Sequence, residues 1–228
     1  MKSLMIVNAN NPKILLDAVL YGADGILFDL AEVVPDTEKD AARLLLAEAL
    51  GFLDYSAVEV VVRPNCPCRE DFELDILAVG PGRPCDFIVP MANPEFVVKA
   101  AGLLDKVEAE HKLPAGGIRL IPSIDSAAGV ENVAAIIAAS PRVRAVMFNA
   151  GKFLADLGAE AGGAEQLVYA RSKIAACAHV AGIDSLDTPY SGKPDGLAAD
   201  AKTAKSLGFT GKVAADGKQV KAINAAFA

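Results

Sequence analysis

The run Val60-Val61-Val62-Arg63-Pro64-Asn65 delivers a guanidinium at the end of an apolar, β-branched segment. A planar, permanently charged fork in that setting suits a carboxylate or a developing enolate oxygen, the alternative being a structural ion pair with Asp29 or Asp125. Asp29, Glu32 and Asp125 also follow apolar runs, and hard oxygen donors of this kind hold Mg²⁺. A cation there would neutralise the enolate formed when a carbon–carbon bond breaks. Asp29 taken alone reads better as a cap or partner inside the fold. Asn8 and Asn65 offer amides to substrate oxygens. Ser191-Gly192-Lys193-Pro194 and Asp216-Gly217-Lys218-Gln219 join Gly to Lys just before helix-like sequence, which suits a phosphate or is simple turn chemistry with solvated lysines.

Other chemistries find less support. Cys66-Pro67-Cys68 is a C-x-C without a second cysteine pair to complete a zinc site, and with Cys85 and Cys177 it is too sparse for a disulfide framework. The four thiols are expected to stay reduced. His111 and His179 lie far apart in helix-like segments, so no Ser-His-Asp or Cys-His arrangement emerges.

The elements that position these groups follow from periodicity. Short Val/Ile/Leu-rich runs alternate with longer segments of helical period, the pattern of βα units on a parallel sheet. Eight strands are expected at Leu4–Asn8, Gly25–Leu30, Val58–Arg63, Phe87–Pro90, Ile118–Ile124, Ala145–Phe148, Ser185–Thr188 and Lys212–Ala215. Asp36-Thr37-Glu38 is expected to cap one helix and Pro194-Asp195 to open another. Eight repeats close most economically into a (β/α)₈ TIM barrel, a single domain over residues 1–228. In such barrels the site lies where the strands' C-terminal ends converge, which is where Asn8, Asp29, Glu32, Arg63, Asn65, Asp125, Asn149, Lys152, Lys193 and Lys218 fall.

Composition sets outer bounds. With 53% hydrophobic residues, 6% aromatics and no Trp, the core must be aliphatic. No apolar run reaches the roughly 18 residues of a membrane span, and Met1–Ile6 lacks a signal-peptide pattern, so a cytoplasmic protein is expected. A formal net charge of −7 argues against general attraction to nucleic acid.

The order of several segments resembles the citrate lyase beta-subunit branch of the HpcH/HpaI aldolase superfamily. They are Val7-Asn8-Ala9-Asn10-Asn11-Pro12-Lys13, Gly22-Ala23-Asp24-Gly25, Phe28-Asp29-Leu30 and Glu38-Lys39-Asp40-Ala41-Ala42-Arg43. Val62-Arg63-Pro64-Asn65, Pro122-Ser123-Ile124-Asp125-Ser126-Ala127, Ala155-Asp156-Leu157-Gly158, Tyr169-Ala170-Arg171-Ser172, Asp187-Thr188-Pro189-Tyr190 and Leu207-Gly208-Phe209-Thr210-Gly211-Lys212 complete the set. The resemblance implies a trimeric or hexameric barrel lyase that uses Mg²⁺. Its substrate would be a citryl-, malyl- or citramalyl-type thioester, on CoA or an acyl carrier protein, cleaved to an acyl thioester and an oxo acid. It further implies that Arg63 binds the substrate carboxylate and that Asp125 occupies the place of a metal-ligating glutamate.

Four rim positions depart from the family. Lys152 stands where the family has its second acidic metal ligand, and Leu30-Ala31-Glu32 replaces Leu-Glu-Asp. Pro90-Met91 replaces Pro-Lys, and Ala215-Asp216-Gly217 replaces Ile-His-Pro. An ammonium about 4 Å from a cation at an effective dielectric near 20 costs roughly 4 kcal/mol per unit charge. Three readings stay open. The chain is a lyase with Mg²⁺ on Asp125 and Glu32. Or it is a metal-independent aldolase in which Lys152 supplies the charge or forms a Schiff base. Or it is a non-catalytic binding or assembly protein.

Overall fold

The computed structural model describes residues 1–160 and 164–228. Eight parallel strands, β1 (Ser3–Asn8), β2 (Gly25–Asp29), β3 (Glu59–Arg63), β4 (Asp86–Val89), β5 (Arg119–Ile124), β6 (Ala145–Phe148), β7 (Asp184–Asp187) and β8 (Gly211–Ala214), close in chain order into a barrel. The helices among the described residues are α1 (Pro12–Asp17), α2 (Lys39–Phe52), α3 (Asp71–Val79), α4 (Pro94–Glu110), α5 (Ala127–Glu131), α6 (Val133–Ala138), α7 (Ala150–Asp156), α8 (Val168–Ala181), α9 (Leu197–Ser206) and α10 (Gly217–Ala226). The (β/α)₈ expectation holds.

Alternation along each strand divides the core into two layers. Leu4, Leu27, Val61, Ile88, Ile121, Met147, Leu186 and Val213 fill the barrel interior. Their neighbours, among them Phe28, Phe87, Phe148 and Val62, face the helices and pack on Leu46, Ile76, Leu104, Ile136, Ile174 and Ile223. The pleat therefore points Asn8, Asp29, Arg63, Ser123 and Asp125 inward, one or two steps above the interior aliphatic layer. In register, Asn8 stands opposite Asp29 and Asp29 opposite Arg63.

The seam closes where Lys212 pairs in register with Ser3 and Leu186 with Gly211. Only glycine fits at position 211, because a Cβ would lie 2.2 Å from the Met1 carbonyl oxygen and 2.8 Å from that of Lys2. Polar groups on the outer strand face are buried and paired. Lys212, fully buried, binds Asp187 at 2.6 Å and Asp200 at 2.7 Å, and Arg171 holds Asp187 through two hydrogen bonds of 2.9 and 3.0 Å.

Local expectations shift in places. The fourth strand begins at Asp86 and the eighth at Gly211, residues whose polarity or missing side chain hid them from a search for apolar runs. Asp36–Glu38 forms a 3₁₀ turn without a side-chain cap before α2 begins at Lys39. Pro194–Gly196 is likewise a 3₁₀ turn preceding α9. Cys66 and Cys68, expected as free thiols, are joined as a disulfide. No helix among the described residues is long and apolar enough to cross a membrane.

Candidate active site at the barrel rim

β3 ends on Arg63, whose guanidinium folds inward onto the end of β2. Nε donates to Asp29 Oδ1 at 2.9 Å and Nη2 to Asp29 Oδ2 at 2.7 Å. Asp29 is fully buried and Arg63 nearly so. Burial opposes the arginine's charge, but Asp29, Glu32 and Asp125 outweigh it and hold its pKa above the ordinary value. The structural pairing with Asp29 and the binding role are thus compatible: two edges of the fork are spent, while Nη1 faces Glu32 Oε1 at 3.5 Å.

Glu32 lies in the loop after β2, and Lys39 fixes that loop by donating from its buried Nζ to the carbonyls of Leu30 at 3.3 Å and Ala31 at 2.9 Å. Lys152 reaches the same carboxylate from the far side, with Nζ 2.6 Å from Glu32 Oε1. Its backbone is set by two side chains at the start of α7. Asn149 Oδ1 accepts from the Lys152 N–H at 3.3 Å, and Thr188 Oγ1 accepts from the Ala150 N–H at 3.1 Å.

Asp125, also buried, receives hydrogen bonds on both oxygens. The Ser123 hydroxyl donates to Oδ1 and the Met91 N–H to Oδ2 at 2.8 Å. Met91 adopts a left-handed backbone with φ of 50°, a conformation costly for a side chain with a Cβ and typical of a constrained site. Burial pushes the Asp125 carboxyl above the ordinary range, against the pull of the Ser123 and Met91 donors and the Lys152 charge, while Glu32 adds repulsion.

Glu32, Lys39, Arg63, Asn65, Cys66 and Lys152 border one rim cavity of about 400 Å³. A larger groove of about 640 Å³ between α6 and α8 is lined by alanine, aliphatic, Ser140, Pro141 and Cys177 side chains with no charged group, so the chemistry falls to the rim. Asn65 meets the cavity but its side-chain amide donates inward, to Asp75 Oδ2 at 2.8 Å, and Arg43 holds the other Asp75 oxygen at 2.7 Å. Asn8 is half-buried at the end of β1 beside Asp29. Lys193, on the loop after β7, and Lys218, in the first turn of α10, are exposed and do not border the cavity around Arg63. Asp216 caps α10 through a 2.8 Å bond from the Lys218 N–H.

The sequence reading missed Lys39 and Ser123, both inside segments that carried the family resemblance. A lysine in the first turn of an otherwise Ala/Leu-rich helix was the available signal for the first.

A magnesium ion does not fit these donors as they stand. Glu32 Oε1 is shared by two cations, and each Asp125 oxygen already accepts one hydrogen bond. Hard-cation sites need free carboxylate oxygens, and here an ammonium occupies the approach.

Residues 2–217 match the family model described as HpcH/HpaI aldolase/citrate lyase. The citrate lyase subunit beta of Leuconostoc mesenteroides subsp. cremoris is 32% identical over 231 residues, covering 100% of this chain and 76% of that protein. An L-malyl-CoA/beta-methylmalyl-CoA lyase of Cereibacter sphaeroides is 29% identical, over 90% of this chain and 72% of its own length. Among solved structures, protein CitE of Mycobacterium tuberculosis in complex with magnesium, acetoacetate and coenzyme A superposes with a TM-score of 0.83 at 24% identity, over 99% of this chain and 80% of that one. With the same barrel and a collinear match over nearly its whole length, the chain belongs to the HpcH/HpaI aldolase/citrate lyase family.

Proposed function

We propose that the chain is a carbon–carbon lyase that cleaves a hydroxy-acyl thioester of the citryl, malyl or citramalyl class into an acyl thioester and an oxo acid. The observation that carries this reading is the juxtaposition of Arg63, Glu32 and Lys152 around one rim cavity. The named activities of the citrate lyase and malyl-CoA lyase relatives support it.

Arg63 Nη1 takes the carboxylate of the oxo-acid half, since its other edges are fixed on Asp29. Glu32, within reach of the same position, accepts the proton of the substrate hydroxyl. The bond between the carbinol carbon and the α-carbon of the thioester then breaks. Its electron pair moves onto the thioester as an enolate, the carbinol becomes the carbonyl of the oxo acid, and protonation of the enolate at carbon yields the acyl thioester. The half-buried Asn8 would add a polar group beside Asp29, and the exposed Lys193 and Lys218, outside the cavity, would meet the phosphates of CoA or of a carrier-protein arm. Magnesium is the cation named with the CitE structure; in this chain Asp125 and Glu32 are the only rim carboxylates proposed to approach one, and no step above needs it.

Incubation with citryl-, malyl- and citramalyl-CoA, followed by chromatographic detection of the released acyl-CoA, tests the reading. Turnover of at least one substrate supports it; intact substrate in all three sinks it. A homo-oligomer, trimer or hexamer, completes the proposal and is checked by light scattering.

A further inference from the structure

We propose that Lys152 is the resident cation of this site, so that the protein holds its oxo acid on Arg63 and Lys152 without magnesium. The proposal takes its ligand class from the lyase reading above, while its geometry stands on the rim residues alone.

Lys152 Nζ sits 2.6 Å from Glu32 Oε1, and its charge also acts on the buried Asp125 carboxyl. The pair is anchored rather than incidental. The Lys152 backbone is tied through Asn149, the same helix start is tied through Thr188, and the Thr188 carbonyl is held by the buried Lys212 at 2.6 Å. Glu32 is steered from the other side by Arg63 Nη1. Asp125, the second carboxylate, accepts one hydrogen bond on each oxygen, from Ser123 and from the N–H of the left-handed Met91.

What remains for a ligand is a pair of cationic donors, Arg63 Nη1 and Lys152 Nζ, flanking one carboxylate. That pattern suits an α-oxo acid or its α-hydroxy precursor. The guanidinium takes the carboxylate, the ammonium donates to the adjacent hydroxyl or carbonyl oxygen, and Glu32 accepts the hydroxyl proton. As that proton leaves, negative charge gathers on the oxygen beside Lys152 and is relieved when the carbon–carbon bond breaks and the carbonyl forms. The ammonium balances the charge there without itself gaining or losing a bond. The proposal asks of Nζ only a charge and a hydrogen bond, so covalent imine chemistry is not part of it.

Calorimetric titration of oxaloacetate, pyruvate and glyoxylate into the full-length protein, in excess EDTA and again in excess MgCl₂, separates the alternatives. The expected result is a Kd within threefold between the two conditions for at least one acid. K152M should bind that acid more weakly by about tenfold or more, the scale of one lost charge-assisted hydrogen bond. K152R, which keeps the charge, should recover most of the affinity, and thermal melts should confirm that both variants fold. A wild-type affinity that rises more than threefold with magnesium, unchanged binding in K152M, or absence of binding to all three acids overturns the proposal. Magnesium-independent binding without cleavage of any thioester would sink the lyase reading and leave Lys152 in its role, so the two failures are distinguishable.

Discussion

Glu32 Oε1 is shared by Lys152 Nζ at 2.6 Å and Arg63 Nη1 at 3.5 Å, a bridge between the loop after β2, the start of α7 and the end of β3. Both Glu32 and Lys152 are more than a third exposed, so solvent screens the pair and its worth as a stabilising contact is small, about 0–1 kcal/mol. Its significance is chemical: it sets a donor and an acceptor side by side, where the proposed reaction puts the substrate hydroxyl.

Replacing Glu32 by Gln keeps the shape and removes the proposed proton acceptor. E32Q should lower kcat by about 10²- to 10⁴-fold, the usual contribution of a general base, while the thermal midpoint stays near that of wild type. Steady-state kinetics on the best thioester substrate measures this; an unchanged kcat removes Glu32 from the mechanism.

Arg63 carries two loads, and its variants should separate them. R63A leaves the fully buried Asp29 without its ion-pair partner and should cost about 3–5 kcal/mol of stability. R63K keeps a charge but not the two-point grip on Asp29, so it should be intermediate in stability and still weak in oxo-acid affinity. Denaturant melts and calorimetry read the two effects; an R63K that binds as tightly as wild type would show that the fork geometry is dispensable.

At the opposite end of the barrel, Glu108 accepts from the backbone N–H groups of Ile118 at 2.9 Å and Gly116 at 2.7 Å and pairs with Arg142 at 2.6 Å. Burial opposes ionisation, but Arg142 and the two N–H donors prevail and hold the carboxyl at about 2. A depressed folded-state pKa gives stability that is present above the ordinary value and lost as pH falls toward the folded one. The contribution should therefore fade between about pH 4.5 and 2, and it amounts to on the order of 3 kcal/mol at neutral pH. E108Q should be less stable at pH 7 and show a flatter acid limb in urea melts; parallel acid limbs for the two proteins would contradict this.

The architecture was readable because apolar runs at βα spacing leave few closures open, and each expected strand overlaps an observed one. Individual rim roles were harder to read. Asn149 stood among the polar rim candidates, yet its side chain accepts from a backbone N–H three residues on and serves as a helix cap, as Asn93 does at the start of α4. A cap and a ligand look alike in sequence, since both are short polar side chains just past a strand. The departure at Lys152 was legible as a substitution, whereas its pairing with Glu32 required two loops from different strands to meet. Asn65 illustrates the converse, a rim amide whose partner, Asp75, lies ten residues away on α3 and turns it inward.

Lys212 is buried with Asp187 and Asp200 and also holds the Thr188 carbonyl. K212M removes the ammonium while leaving both carboxylates to Arg171, and should destabilise by about 3–5 kcal/mol. Thermal denaturation checks it; a neutral or stabilising outcome would mean that Arg171 alone compensates the two acids.

The most direct measurement is release of oxo acid from citryl-, malyl- and citramalyl-CoA by the purified protein in excess EDTA, followed with and without added magnesium. A chelator-insensitive rate on at least one thioester, abolished in R63A and strongly reduced in K152M, is the predicted result. A rate that vanishes with EDTA and returns with magnesium, or no release under either condition, would contradict it.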